Sequence, residues 1–551
     1  MLARILAPAR KRALTLQYLL NTNTTTTLNK HTPPSYQLHN MSIAAAAAAQ
    51  QGHMHASAEK VLRMSSTVAA MTPTVDVTNV NPNAREAKYA VRGEIVAKAY
   101  EYAADIASGK GSNLPFDRVV YCNIGNPQQL GQKPVSFFRQ VLALCDYPDV
   151  LDNPKVEELY PADAVARARR YLAAIPGGVG AYSQSKGVAL LRQEVAAAIE
   201  KRDGHPCSPD DLFLTDGASP TCHYLMKTLL RNKSDGVLTP MPQYPLYSAT
   251  LELYDGSLVP YYLAEEKGWG MDVNHLKECV DKARAEGTVV RAMVVINPGN
   301  PTGQVLDEAD QRAVVQFCKQ ENLLLVADEV YQDNVYREGK KFTSFKKIVR
   351  DLGSEYADFP LISMHSVSKG FYGECGRRAG YMEVIGINDE VKDIFLKLAS
   401  VSLCSNISGQ ICMALVMNPP KPGEPSYELY EREKNDVLGS LKRRAVRLTS
   451  ALDSLEGVSC NPAEGALYAF PRLYLPDKFC AEAKKIGREP DMHYCMKMLD
   501  ATGVVTVPGS GFGQVPGTHH FRTTFLPSEQ DIETVITNIT TFHNNLMKEY
   551  S

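Results

Sequence analysis

Short runs of apolar residues recur through the middle of the chain without alternating with polar residues. The clearest of them, residues 323–327, reads Leu-Leu-Leu-Val-Ala. Such a run is typical of a strand that is buried on both faces, as in a parallel sheet. Helical stretches separate the runs, so the pattern predicts βαβ units around a mainly parallel sheet. The predicted strands are 211–215, 236–239, 289–296, 323–327 and 361–364.

The two flanks of this region show a different pattern, with shorter apolar segments and longer helical stretches. A helix is predicted over 84–107 and a strand over 118–122, while short strands are predicted at 457–460, 466–471 and 504–507. A chain of 551 residues exceeds one ordinary core, so two or more domains are expected. We predict an α/β protein whose large domain has a mainly parallel mixed sheet flanked by helices, beside a smaller α+β domain. The predicted boundaries are 71–159 for an N-terminal arm with part of the small domain, 160–410 for the large domain and 411–551 for the rest of the small domain.

The first 70 residues have a composition of their own. Residues 1–58 contain no Asp or Glu but include Arg4, Arg10, Lys11 and Arg12, followed by Thr/Asn-rich and alanine-rich stretches. A basic, acid-free, low-complexity segment is typical of an organelle transit peptide. Arginine in the first helix-like stretch favours the mitochondrial matrix over the chloroplast, and a disordered extension without an address is the alternative.

Composition and charge exclude several classes of function. A hydrophobic fraction of 44% and a net charge of −2 are those of a globular protein, and they imply neither nucleic acid nor an anionic membrane as partner. Twelve cysteines without paired spacing indicate reduced thiols. No metal site is predicted, because His53/His55 and His519/His520 lack further ligands at useful spacing, and no apolar run is long enough to span a membrane.

The segment 366–380 contains the most informative chemistry in the chain. Lys369 is framed by the hydroxyls of Ser366 and Ser368 and followed by Arg378. The amine can form a Schiff base with an aldehyde, while the hydroxyls and the guanidinium can hold a phosphate. An aldehyde and a phosphate on one small molecule describe pyridoxal 5'-phosphate. Ser-x-Ser-Lys alone also occurs in many surface loops, so the prediction depends on the rest of the chain.

Two further apolar runs end in polar side chains that fit the same cofactor. Asp328 follows the run 323–327, and an acid at that position can face a pyridine nitrogen, with Tyr331 within reach of the phenolic oxygen. The alternative is that Asp328 caps a following helix. Asn300 lies in Asn-Pro-Gly-Asn-Pro-Thr-Gly, where prolines and glycines make a rigid turn that would hold its side chain still. A plain turn is the alternative there.

The ordered set Asn300, Asp328, Tyr331, Lys369 and Arg378 resembles the fold-type I aminotransferases. Other segments resemble the alanine aminotransferase group of that family, and the likeness covers roughly residues 85–550. Ala379 departs from the family pattern, which usually has a glycine after the arginine. The segments that carry the closer resemblance are 121–128, 214–219, 373–376, 408–410 and 418–427.

The resemblance implies further residues at a cofactor and substrate site. Ala218 and Ser219 would hold the phosphate at a helix N-terminus, and Tyr244, rather than its neighbour Tyr247, would stack on the pyridine ring. Tyr182 would reach the phosphate bound by a neighbouring subunit, which implies a homodimer with shared active sites.

Two more positions are implied to contact the substrate carboxylate. Gly125 would lie against it and Arg522 would bind it with both arms of its guanidinium, although a surface salt bridge is the alternative for Arg522. The implied reaction interconverts L-alanine plus 2-oxoglutarate with pyruvate plus L-glutamate in two half-reactions. A glutamate:glyoxylate aminotransferase, a lyase using the same cofactor, and a non-enzymatic binding protein on the same fold are the alternatives.

Overall fold

The computed structural model describes residues 77–88 and 93–551 of the chain. The predicted transit peptide, His53 and His55 lie outside these residues. The helices are α1 Pro82–Glu86, α2 Glu94–Ala107, α3 Ser136–Asp146, α4 Val156–Leu159, α5 Ala162–Ala174, α6 Ala189–Asp203, α7 Ala218–Leu229, α8 Leu246–Leu253, α9 Val273–Ala285, α10 Glu308–Gln320, α11 Phe345–Asp351, α12 Asp389–Val401, α13 Ile407–Met417, α14 Tyr427–Asp453, α15 Asp477–Lys485, α16 Pro490–Thr502 and α17 Glu529–Tyr550. The strands are β1 Val120–Tyr121, β2 Leu212–Thr215, β3 Asp235–Met241, β4 Ser257–Tyr262, β5 Val289–Ile296, β6 Leu324–Asp328, β7 Leu361–Ser366, β8 Gly380–Ile385, β9 Val458–Ser459, β10 Tyr468–Ala469, β11 Arg472–Leu473, β12 Val504–Val505, β13 Val507–Pro508 and β14 His519–Thr524.

A seven-stranded sheet organises the middle of the chain, in the order β2-β8-β7-β6-β5-β3-β4. The neighbours from β4 to β7 run parallel, while β8 is antiparallel to both β7 and β2. Every residue of β6, β7 and β8 is buried, as expected for strands covered on both faces by helices. The prediction of a mainly parallel mixed sheet flanked by helices is confirmed.

The register of the sheet brings three chain segments to one edge. Ile296 is paired with Asp328, and Asp328 with Met364, so β5, β6 and β7 end at nearly the same level. The chain leaves β5 into the Asn-Pro-Gly-Asn-Pro turn and leaves β7 toward Lys369. The carboxyl edge of such a sheet is where open α/β folds bind ligands.

A smaller antiparallel sheet lies in the C-terminal part of the chain, in the order β10-β14-β11-β9, with β13 also paired to β14. Strand β1 pairs in parallel with β12, through Val120↔Val504 and Tyr121↔Val505. The N-terminal segment therefore joins the C-terminal part in space, as the sequence analysis expected. The exact domain boundaries stay predictions.

The predicted helix over 84–107 is interrupted, because residues 84–86 and 94–107 are helical but Ala87 and Gly93 are not. Helix α1 ends at Glu86, because Ala87 takes the extended-type ψ of 122°, and α2 begins only after Gly93. Glycine is a poor residue for a helix interior, which favours a start after it. Asn81 caps the N-terminus of α1, because its side chain accepts a hydrogen bond from Asn83 N at 2.9 Å. In the seven-stranded sheet, strands β4 and β8 were not predicted.

All twelve cysteines lie in the part of the chain that the structure describes, and each is a free thiol. No group of three or more His, Cys, Asp or Glu side chains is placed to hold a metal ion within residues 77–88 and 93–551. Among the helices of those residues, none combines the length and the apolar character needed to cross a membrane.

Candidate active site

A cavity of about 710 Å³ lies where the carboxyl edge of the large sheet meets β10 and β14. Its lining carries the cations Lys369, Arg378 and Arg522 and the single carboxylate Asp328, which favours an anionic ligand. Every site residue predicted from the sequence lines this cavity, with the exception of Tyr182. The predicted residues in the lining are Gly125, Ala218, Ser219, Tyr244, Asn300, Asp328, Tyr331, Ser366, Ser368, Lys369, Arg378 and Arg522.

Asp328 is the last residue of β6 and is 5% exposed. Its Oδ2 accepts a hydrogen bond from the Tyr247 hydroxyl at 2.7 Å, whereas its buried Oδ1 has no hydrogen-bond partner among the described residues. Burial raises the pKa of Asp328 to about 6, although the Tyr247 hydroxyl, the Val330 backbone N–H and the charge of Lys369 oppose that shift. Turns follow Asp328 and the next helix begins at Phe345, so the helix-cap interpretation is wrong.

The Lys369 side chain lines the cavity. Its Nζ donates a hydrogen bond to the Gly125 carbonyl oxygen at 3.2 Å and lies 5.7 Å from the centre of the Tyr331 ring. A Cβ atom at position 125 would come within 2.8 Å of Nζ, so a side chain there would displace the amine. Gly125 and Lys369 are 244 residues apart in the chain, and the fold brings them into contact.

A second group of donors lies beside Lys369. Ser366 Oγ and Ser368 Oγ are 2.9 Å apart, and Arg378 Nη1 lies 3.5 Å from Ser368 Oγ. Arg378 has a left-handed φ of 51° and donates to Cys375 O and Asp216 O, which holds its guanidinium against the loop before α7. Ala218 and Ser219 are the first residues of α7, where backbone N–H groups are unpaired.

Gly217 and Ala379 pack against the group of donors around Arg378. A Cβ at Gly217 would lie 2.8 Å from Arg378 Nη2, and its φ of 91° also favours glycine. Ala379, the departure from the family pattern, is buried, and its carbonyl accepts from Ser366 Oγ at 3.0 Å and from Val367 N at 3.0 Å. The Ala379 methyl group therefore leaves these two hydrogen bonds intact.

Arg522 lies on β14 and is only 1% exposed, so the surface salt-bridge interpretation is wrong. Its Nη1 donates to Asn300 Oδ1 at 3.0 Å and its Nη2 to the Asn123 carbonyl oxygen. The buried Nε has no partner among the described residues. The guanidinium is therefore oriented by the protein while it keeps donors for a ligand carboxylate.

Tyr182 is the predicted residue that the structure does not bring into the cavity. Its side chain is 79% exposed. The neighbouring Ser183 N donates to Cys404 Sγ at 3.4 Å, and Ser185 Oγ lies 3.1 Å from Ser400 Oγ, so the segment around Tyr182 is anchored to the end of α12. An action of Tyr182 on a neighbouring subunit stays a prediction.

Two site residues were missed by the sequence analysis. Tyr247 donates to Asp328, although Tyr244 was preferred, and both tyrosines contribute: Tyr244 lines the cavity while Tyr247 lies buried behind Asp328. Tyr468 lines the cavity from β10, with its hydroxyl 3.3 Å from that of Tyr331. The segment 466–471 gave no signal beyond a strand, because no polar pattern marks Tyr468 as more than a core aromatic.

The donor set fits pyridoxal 5'-phosphate. The unpartnered Asp328 Oδ1 lies in a buried wall of the cavity, where a protonated pyridine nitrogen would satisfy it. The cluster of Ser219, Ser368 and Arg378 offers hydroxyl, guanidinium and backbone donors to a phosphate. Lys369 carries the amine that the aldehyde requires.

The chain matches the family model for aminotransferase class I and II over residues 152–539. It is 55% identical over 481 residues to alanine aminotransferase 2 of Panicum miliaceum, covering 87% of this chain and 100% of that protein. It is 54% identical over 488 residues to the mitochondrial alanine aminotransferase 2 of Arabidopsis thaliana, covering 88% and 90%. A glutamate–glyoxylate aminotransferase of Arabidopsis thaliana is 47% identical over 478 residues, covering 87% and 97%.

The fold also matches solved structures. An alanine aminotransferase from Pyrococcus furiosus superimposes with a TM-score of 0.66 at 25% sequence identity, over 84% of this chain and 99% of that one.

Proposed function

The chain belongs to the class I and II aminotransferase family, and on that premise we propose that it interconverts L-alanine plus 2-oxoglutarate with pyruvate plus L-glutamate. As a member of this family it is a pyridoxal-phosphate-dependent enzyme acting on amino and 2-oxo acids. The observation that carries the proposal is the convergence of Lys369, Asp328 and Arg522 on one cavity. The choice of alanine is supported by relatives of that name at 54–55% identity, against 47% for the glyoxylate enzyme.

The proposed roles of the cofactor-binding residues follow from their chemistry. When bound, pyridoxal phosphate supplies a carbonyl that accepts the amino group and a ring that withdraws electrons from the substrate α-carbon. Asp328 would bind the pyridine nitrogen and keep it protonated. The phosphate would be held by donors near the start of α7 and after β7, namely Ala218, Ser219, Ser366, Ser368 and Arg378. The phenolic oxygen and the ring face would be held by Asn300, Tyr331 and Tyr244.

Lys369 is the proposed general acid and base. Its Nζ removes the proton from the α-carbon of the bound amino acid, and in the second half-reaction it returns a proton to the α-carbon of the bound oxo acid. The contact with the Gly125 carbonyl holds Nζ inside the cavity rather than in solvent. Because one site serves both half-reactions, pyruvate must leave before 2-oxoglutarate binds, and the kinetics are ping-pong.

Arg522 orients the substrate. Its guanidinium binds the α-carboxylate that all four substrates share, and the contacts with Asn300 and Asn123 fix its plane before the substrate arrives. Fixed orientation matters because the α-hydrogen must point toward Lys369. Gly125 leaves the space in which the carboxylate and the amine can approach.

We propose a homodimer in which Tyr182 extends to the phosphate of the neighbouring subunit. Its 79% exposure and its anchored backbone support that arrangement, since a large aromatic side chain held at the surface favours contact with another chain. The mitochondrial matrix is the proposed location, with the chloroplast as alternative. The basic, acid-free residues 1–58 and the mitochondrial relative support it.

A matrix of amino donors and 2-oxo acids on the purified protein tests the substrate assignment. Alanine with 2-oxoglutarate should give the highest kcat/KM, with glyoxylate accepted more slowly. Preference for glyoxylate over both 2-oxoglutarate and pyruvate would replace this assignment with the glutamate:glyoxylate one. If the enzyme converted an amino acid for more than one turnover with no 2-oxo acid present, that would indicate a lyase.

A further inference from the structure

Tyr468 has no role in the function proposed above, although it touches three groups that do. It lies on β10, whose pairing of Tyr468 with Thr524 places it beside β14, the strand of Arg522. The side chain is 2% exposed, and its hydroxyl lies 3.3 Å from the Tyr331 hydroxyl. A buried tyrosine hydroxyl usually has a hydrogen-bond partner, and here the candidate partners are Tyr331 and Lys369.

The ring of Tyr468 packs on the Arg522 guanidinium. The guanidinium carbon lies 4.1 Å from the centre of the Tyr468 ring and 4.7 Å from that of Phe512. Such contacts strengthen when they are desolvated, as this one is. The ring therefore fixes the plane of the group that binds the substrate carboxylate.

The hydroxyl of Tyr468 converges with the Lys369 amine above Gly125. A Cβ at Gly125 would lie 2.6 Å from Tyr468 Oη and 2.8 Å from Lys369 Nζ, so both atoms close on one point of the backbone. Burial raises the pKa of Tyr468, but the positive charges of Lys369 and Arg522 outweigh it, so the pKa lies below the ordinary 10. Burial raises the pKa of Tyr331 well above that value. The Tyr468 oxygen therefore lies in a field that favours negative charge, and it already accepts a hydrogen bond from the Tyr331 hydroxyl.

We propose that Tyr468 is a positioning residue with two separable actions. Its hydroxyl accepts a hydrogen bond from the Lys369 nitrogen and holds it toward the substrate, and its ring holds the Arg522 guanidinium flat. This inference rests on the proposed roles of Lys369 in proton transfer and of Arg522 in carboxylate binding.

Two substitutions separate the actions. Tyr468→Phe removes the hydroxyl but keeps the ring, so kcat should fall roughly 10- to 100-fold while KM for alanine and 2-oxoglutarate stays near its original value. Tyr468→Leu removes both, so KM for every substrate should rise as well. Tyr336→Phe is the matched control, because that hydroxyl is also buried and donates to Ala466 O at 2.9 Å on the same segment but does not line the cavity.

A spectroscopic readout needs no substrate. The absorbance of the enzyme-bound cofactor changes with pH as the Lys369 nitrogen loses its proton, and an accepting hydroxyl stabilises the protonated form. Tyr468→Phe should therefore move the midpoint of that change to lower pH by about one unit, the size expected for one hydrogen bond to a charged group. Tyr336→Phe should leave the midpoint unchanged.

An unchanged midpoint and an unchanged kcat in Tyr468→Phe would overturn the inference, as would a shift of the same size in Tyr336→Phe. A rise in KM alone in Tyr468→Phe would also overturn it, because the hydroxyl would then serve the substrate rather than Lys369. The titration is independent of substrate, so it stands even if the alanine assignment fails. A wild-type protein that binds cofactor but transfers no amino group from any donor would refute the proposed function instead.

Discussion

Asp328→Asn separates two effects of the carboxylate in the cavity wall. One is the destabilisation of the cofactor-free protein, and the other is the binding of the cofactor. Without cofactor the charged Asp328 is a cost to the fold, because burial raises its pKa from the ordinary 3.8 to about 6. Each pH unit corresponds to about 1.4 kcal/mol, so the difference destabilises the cofactor-free protein by about 3 kcal/mol when the group is ionised. Asparagine removes the charge while its oxygen still accepts from Tyr247.

The pH dependence has a definite sign. Since the pKa in the folded protein lies above the unfolded value, the destabilisation is absent below pH 3.8, grows up to about pH 6 and is complete above it. The cofactor-free variant should therefore melt above the cofactor-free wild type at pH 8. The gain should be about 3 °C, because an unfolding entropy of roughly 2 cal/mol/K per residue amounts to about 1 kcal/mol/K over this length. About half of that gain should remain at pH 5.

Saturating cofactor should shrink the variant's advantage from about 3 kcal/mol to between about 1.5 kcal/mol and zero. Asp328 pairs with a charged nitrogen in the loaded enzyme, so the variant should lose about 1.5–3 kcal/mol of cofactor affinity, roughly 10- to 150-fold in Kd. Thermal unfolding of both proteins at pH 5 and pH 8, with and without added pyridoxal phosphate, measures all of these quantities.

Glu329→Gln is the matched control. Glu329 is the neighbouring buried carboxylate, whose pKa is raised to about 7 by burial, but Phe345 N and Ser363 Oγ donate to its oxygens and it does not line the cavity. The variant should keep the full stabilisation by cofactor. A cofactor-free Asp328→Asn protein that melts below wild type at pH 8, or that binds cofactor with wild-type affinity, would refute the reasoning.

Three further predictions concern the other site residues. Lys369→Ala should bind cofactor without a covalent link and lose roughly 10²- to 10⁴-fold in turnover; exchange of the alanine α-hydrogen with deuterated solvent, followed by NMR, should slow equally, and exchange at the wild-type rate would contradict the assignment. Arg522→Lys should weaken alanine, glutamate and both oxo acids together by about 1.5–3 kcal/mol each in kcat/KM, whereas loss of one substrate alone would show that Arg522 binds a side chain. Hybrids of Tyr182→Phe and Lys369→Ala subunits should contain one intact site and be more active than either parent dimer, and a fully active monomer would exclude shared sites.

Much of the site was predictable because its polar residues follow apolar runs. Asp328 ends one buried strand and Lys369 follows another, and parallel strands bring their carboxyl ends to one edge, so sequence order translates into proximity. The group of donors around Arg378 was also predictable, because the hydroxyls, the amine and the guanidinium lie within thirteen positions of the chain, from Ser366 to Arg378.

The contributions from distant elements were harder to predict. Tyr468 comes from β10 and touches Tyr331 across 137 positions of the chain, and its sequence context reads as an ordinary strand. Strand β8 was missed because Glu383 interrupts its apolar run, and only the structure shows that the buried Lys346 pairs with it. Strand β4 was missed because Pro260 lies inside it, which is tolerated there because β4 is the edge of the sheet.

The most direct test of the central claim is a single half-reaction. The cofactor-loaded enzyme is mixed with excess L-alanine and no oxo acid, and pyruvate and free ammonia are counted per subunit. Amino transfer predicts one pyruvate per subunit and no ammonia, after which added 2-oxoglutarate should yield one glutamate per subunit. Continued pyruvate formation with release of ammonia, or no pyruvate until an acceptor is added, would contradict the account.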